Sequence, residues 1–190
     1  MVDTAPTYAG NAFADVDFGK KGRQLGFVRI PHSPHGDAWG VTTVPIAVLA
    51  NGEGPTVVIE GGNHGDEYEG PITIGELARE LDLGRLQGRL ILMPANNVHA
   101  VMAASRVSPV DGLNFNRVFP GRPAGSITEQ IAAYLTQHIF PLADAFLDLH
   151  SGGTSLDILP SAIVEPTDDS VLHARNIAAV QAFDAPYCVV

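Results

Sequence analysis

The chain carries one cysteine, Cys188, in 190 residues. A lone cysteine forms no internal disulfide and excludes a Cys-rich metal site. It is expected as a small buried hydrophobe. Positive charge is also scarce: 11 Lys and Arg stand against 21 Asp and Glu, a formal net charge of −10. Nucleic-acid phosphates are held by clustered Lys and Arg, so nucleic acid is excluded as a partner. An anionic membrane surface is excluded for the same reason. No apolar run approaches the roughly 18 residues that a spanning helix needs. Residues 1–24 also lack the apolar stretch of a secretory signal, so the expected location is the cytoplasm. Glycine and proline, at 20 and 14 residues, fall short of a low-complexity share, and a 45% hydrophobic content excludes intrinsic disorder.

What is present alternates. Residues 1–24 are polar, with scattered Gly, Pro and Asp, and read as a flexible N-terminal arm. Leu25–Ile30 and Val41–Ala50 read as strands, an antiparallel introduction to a sheet that ends at the Asn51-Gly52 turn signal. Thr56–Glu60 (TVVIE) is a short apolar run, as expected of a strand buried on both faces. Ile74, Leu77, Ala78 and Leu81 then recur at i, i+3, i+4 and i+7, one face of a helix. Arg89–Pro94 and Ala145–Leu149 are further buried strands, and Asp157–Pro160 reads as another. Ser126 and Glu129 have capping-box spacing at the start of a helix. Residues 168–183 read as a helix and Tyr187–Val190 as a strand start. The expected fold is therefore α/β: a mixed, mostly parallel central sheet flanked by helices. A single domain is expected over residues 25–190. The strand start at Val190 suggests a domain whose C-terminal part lies outside this chain.

Three segments carry chemistry. Gly61–Gly70 (GGNHGDEYEG) follows a buried strand and precedes a helix, the strand edge where open α/β sheets bind ligands. His64 and Glu67 are three apart, so one helical turn aims both at one metal ion; alone, the pair reads equally well as a polar loop with a capping Glu. In Leu147–His150 a strand delivers His150 to the same kind of edge. Asp148, on the same face, is placed to accept that imidazole's free N–H. Together, His64, Glu67 and His150 have the short-spacer, long-spacer layout of a catalytic zinc site. The third segment is the loop 105–126, with Arg106, Asn114, Asn116, Arg117 and Arg122. Arginine forks and amide donors suit a substrate carboxylate, with one Arg polarising a scissile carbonyl. A solvated loop whose arginines pair with acids such as Asp111 is the plain alternative.

In this order, GGNHGDEYEG, Arg106 with DGLNFNRVFPG, and FLDLHSGG resemble the succinylglutamate desuccinylase/aspartoacylase family of zinc carboxypeptidase-like hydrolases. The flanking text looks most like its N-acetyl-diaminobutyrate deacetylase branch, which serves ectoine breakdown. The resemblance runs from about residue 25 to the end. It implies one Zn²⁺ on His64, Glu67 and His150, Arg106 facing the scissile carbonyl, and Asn116 with Arg117 holding the substrate carboxylate. It implies a general-base glutamate well downstream of His150, after Val190; Glu165 lies too close to match it. The implied activity is hydrolysis of the amide of a small N-acyl amino acid, with self-association into a homo-oligomer compatible with it. The alternatives are a zinc carboxypeptidase-type peptidase and a non-catalytic module that binds small carboxylates.

Overall fold

The structure is a computed structural model that describes residues 12–34, 36 and 38–190. The described residues up to Thr154 form one compact unit and Ser155–Val190 a second, where the sequence suggests a single domain over 25–190.

The first unit is built on a six-stranded mixed sheet. Its strands are β1 (Phe13–Ala14), β2 (Gly22–Pro31), β3 (Val41–Asn51), β4 (Thr56–Gly61), β5 (Gly88–Met93) and β6 (Ala145–Leu149), in the order β1-β2-β3-β5-β4-β6. The β1/β2, β2/β3 and β3/β5 pairs are antiparallel. Parallel pairing is confined to β4, with β5 on one side and β6 on the other. The sheet is mixed, as expected, but not mostly parallel: three of its five strand pairings are antiparallel, and the parallel part holds the functional segments.

The arm is shorter than the sequence suggested. Residues 1–11 lie outside the described residues. Phe13–Ala14 pairs with Val28 and Arg29, and Ala12 and Ala14 are buried. Small apolar side chains alternating with larger ones let this polar-looking segment lie on the sheet. Asp15 ties it down by accepting from the Phe27 amide and from Arg29, 2.8 Å away at its nearest.

Alternation within the strands makes two cores. On one face, Val58, Ile91 and Met93 join Ile127, Ile131, Tyr134 and Leu135 around helix α3 (Ile127–Tyr134). On the other, Ala47, Leu49 and Leu92 meet Ile74 and Ala78 of α1 (Glu69–Glu80). Consecutive residues such as Ile91 and Leu92 thus serve opposite faces, which is why the central strands read as unbroken apolar runs. A short helix α2 (Val98–Ala103) follows β5, and its N-cap Asn97 accepts from the Ala100 amide at 3.4 Å.

The second unit holds β7 (Ser161–Ile163), α4 (Ser170–Phe183) and β8 (Tyr187–Val189), the two strands paired in parallel. The strand expected at 157–160 begins instead after Pro160, which has no N–H to give a ladder. Asp169 caps α4 by accepting from the amides of Val171 and Leu172 at 2.9 and 3.0 Å. Cys188 is exposed, as a buried hydrophobe would not be: all three residues of β8 are exposed on this two-stranded sheet. Among the described residues no helix is long and apolar enough to cross a membrane.

Candidate metal centre

The carboxyl ends of the three parallel strands converge on one rim. β4 lies between its sequence successor β5 and the later strand β6, so strand order reverses at β4. Such a reversal opens a crevice beyond the strand ends. The loop after β4 brings His64 and Glu67, the loop after β5 brings Asn96 and Asn97, and the turn after β6 brings His150.

Two glycines let the first loop take its path. Gly62 has φ +70°, a conformation that favours glycine. A Cβ on Gly65 would overlap the Ala100 carbonyl, so the loop lies directly on the α2 backbone, and the Gly65 amide donates to Ser105 O at 2.9 Å. His64 and Glu67 are thereby held in a buried position, each 4% exposed.

His64, Glu67 and His150 come together although 83 residues separate Glu67 from His150. His64 Nδ1 lies 2.7 Å from Glu67 Oε1, and His150 Nδ1 lies 2.7 Å from Glu67 Oε2. One donor atom from each residue lies within 4.8 Å of the others. The donor set is two imidazole nitrogens and a carboxylate oxygen, the set that divalent zinc accepts. Both rings turn the same nitrogen inward, and the outer nitrogens are treated differently. His64 Nε2 is buried without a hydrogen-bond partner among the described residues. His150 Nε2 lies 2.8 Å from Asp148 Oδ2. That contact raises the His150 pKa to about 9 against the cost of burial, with Glu67 adding to the rise. A metal at Nδ1 would replace a proton there. The residues fit a metal ion of this kind.

The loop residues divide. Arg106, with a side chain 59% exposed, donates from Nη1 to Glu67 Oε1 at 3.3 Å and so stands at the centre. The Asn116 amide lies 3.3 Å from His150 Nε2. Asn114 Oδ1 accepts from the Asn116 backbone N–H at 3.1 Å and shapes the 3₁₀ turn Phe115–Arg117, which leaves Arg117 exposed at its end. Arg122 is not part of the group: it pairs with Glu129 at 2.8 Å. Asp111 pairs with none of these arginines. It accepts from Thr128 N and Oγ1, at 3.0 and 2.8 Å.

Four polar residues behind the centre escaped the sequence reading. Glu60 is 2% exposed, and Asn63, Asn96 and Asn97 are buried. Asn63 Nδ2 donates to Glu60 Oε1 at 3.2 Å and to Asp148 Oδ2 at 2.7 Å. Asn96 donates to Glu60 Oε2. The available signal was a charged residue closing an otherwise apolar strand, TVVIE. A cavity of about 500 Å³ opens beside this group, its lining including Glu60, Asp148 and Asn116 together with Phe119, Phe140 and Phe146.

Fold and site together define an α/β protein with a metal-capable His-Glu-His centre at the carboxyl ends of its parallel strands. The chain belongs to the succinylglutamate desuccinylase/aspartoacylase family: residues 53–190 match that family's catalytic domain. It is 47% identical over 176 residues to an N-alpha-acetyl-L-2,4-diaminobutyric acid deacetylase of Halomonas elongata, an alignment covering 93% of this chain and 52% of the relative. Among solved structures it resembles a succinylglutamate desuccinylase/aspartoacylase from Rhodobacter sphaeroides, with 46% identity and a TM-score of 0.90, covering 94% of this chain and 55% of that one. It also resembles the product-bound ectoine utilization protein EutE (DoeB) from Ruegeria pomeroyi, with 42% identity and a TM-score of 0.88, covering 96% and 56%. The chain spans about half the length of these relatives.

Proposed function

We propose that this chain supplies the metal-binding and carboxylate-binding part of a zinc-dependent deacylase. Its substrate is a small N-acyl amino acid, with N-acetyl-2,4-diaminobutyrate the leading candidate. The observation that carries the reading is the convergence of His64 Nδ1 and His150 Nδ1 on the two oxygens of Glu67, from segments far apart in the chain. The Halomonas relative's activity supports an acyl amino acid over a peptide as the substrate.

Zinc held in such a site would supply Lewis acidity that lowers the pKa of a water to about 7. The protein's own groups do the rest. Asp148 fixes the orientation of His150 by accepting from its outer nitrogen. Arg106 donates to Glu67 at 3.3 Å, which supports a role for its guanidinium in donating to the acyl oxygen as negative charge grows there. Asn116 and Arg117 hold the substrate's α-carboxylate and so set the direction of the amide. The proton-accepting glutamate is assigned, on the family resemblance, to sequence beyond Val190. The amide C–N bond breaks with addition of water, giving a free carboxylate and a free amine.

The test is acetate release from N-acetyl-2,4-diaminobutyrate by a zinc-loaded protein that includes that glutamate, beside short peptides ending in the same carboxylate. Turnover of the acyl amino acid alone is expected. Preferential cleavage of the peptides would overturn the substrate class, and full activity of a metal-free His64→Ala protein would overturn the chemistry.

A further inference from the structure

Glu60 has no part in the ligand set, yet its burial is costly. A carboxylate in an apolar strand loses its water and needs compensation. No Lys or Arg pairs with it among the described residues, and its partners are two amide groups. If β4 needed only packing here, an aliphatic side chain would serve better. The network has a direction. Glu60 on β4 is the register partner of Asp148 on the adjacent parallel strand β6. The Asn63 amide has two N–H groups and gives one to each carboxyl, at 3.2 and 2.7 Å. Asn96 donates to the remaining Glu60 oxygen. Asp148 in turn accepts from His150 Nε2 at 2.8 Å.

We infer that Glu60 is a positioning residue for the metal centre: it fixes the Asn63 amide, the amide fixes Asp148, and Asp148 fixes the His150 imidazole. The inference rests on the metal-centre reading above and extends it one layer further from the ion. Without Glu60 the Asn63 amide is held only through its bond to Asp148, so the donor that steadies Asp148 is no longer anchored from β4. Burial, then the neighbouring Asp148, push the Glu60 pKa up to about 8. Both causes favour the uncharged acid, the form that sits beside Asp148 without adding a second negative charge.

The experiment is a zinc titration of the full chain against a chromophoric chelator, with imidazole ¹⁵N spectra of the metal-free proteins. Groups that orient metal ligands typically change affinity about 10–100-fold when removed. Glu60→Leu is expected to weaken zinc by about that factor. Glu60→Gln keeps the volume and one acceptor oxygen, folds like the wild type, and should fall between the two. The double variant Glu60→Leu/Asn63→Leu should bind no more weakly than the worse single variant, because the two residues act in one chain. In the ¹⁵N spectra the His150 ring should lose its preference for a proton on Nε2, a change that a purely packing role would not cause. Wild-type zinc affinity in either folded variant overturns the inference. Wild-type protein that binds zinc no better than His64→Ala overturns the metal-centre reading instead, so the two failures are distinct.

Discussion

His64, Glu67 and His150 each supply one donor to one point, and the two that remain after any deletion make a weak chelate. His64→Ala or His150→Ala should therefore lose both zinc and turnover, as read by metal analysis after dialysis and by acetate release. Arg117 stands apart from the donors, exposed on its 3₁₀ turn. Arg117→Ala should raise KM with zinc content unchanged, and an unaltered KM would remove it from the carboxylate site. Gly65 sits against the Ala100 carbonyl. Gly65→Ala should destabilise the chain by about 1–3 kcal/mol in urea titrations, since neither backbone can give way easily. Glu60 adds a pH signature. Its folded pKa, about 8, lies above the ordinary 4.5, chiefly through burial and then through Asp148 beside it. A carboxyl raised in the fold favours folding at low pH, and that contribution falls away as pH rises from about 4.5 through about 8. Glu60→Gln, which cannot ionise, should gain stability relative to wild type across that window when metal-free chains are compared by denaturation. A constant difference would contradict the assigned burial.

At the scale of elements, the loop 105–126 is ordered by its tie to α3. Asp111 accepts from Thr128 N and Oγ1, near the helix N-terminus. Partial burial alone would raise its pKa, but these hydrogen bonds hold it below the ordinary 3.8. A depressed carboxyl contributes stability that is complete above pH 3.8 and lost as pH falls through the folded value. Asp111→Ala should cost about 1 kcal/mol at neutral pH, the usual worth of a helix-cap acceptor, and the deficit should vanish in acid. Periodicity made most elements legible. TVVIE and RLILM are apolar on both faces because both faces are covered, and the 74–81 stripe marks the buried side of α1. The alternating Ala12 and Ala14 are too small to signal a strand, so β1 was hidden in a polar-looking arm. Likewise, nothing local says that Glu60 lies beside Asp148. That neighbourhood comes from parallel register between strands 88 residues apart, and spacing along a chain carries no register. The grouping of His64, Glu67 and His150 was legible because their motifs sit at strand ends, where an α/β sheet gathers ligands. The Arg122 pairing with Glu129 was not, since a loop arginine's partner depends on how the loop folds back.

At the scale of the whole molecule, the metal should couple to the fold. Three loops from three strands meet at the centre, so an ion bound there stabilises the folded chain by mass action, by about 2.7 kcal/mol at a free concentration of about 100 times Kd. Zinc should raise Tm, chelator should reverse the rise, and neither should move the Tm of the His64→Ala chain. The most direct measurement is anomalous diffraction at the zinc edge from crystals of this chain grown with zinc. The account predicts one strong peak in contact with His64, Glu67 and His150. A well-ordered structure with no peak there, or with zinc held by other residues, would contradict it.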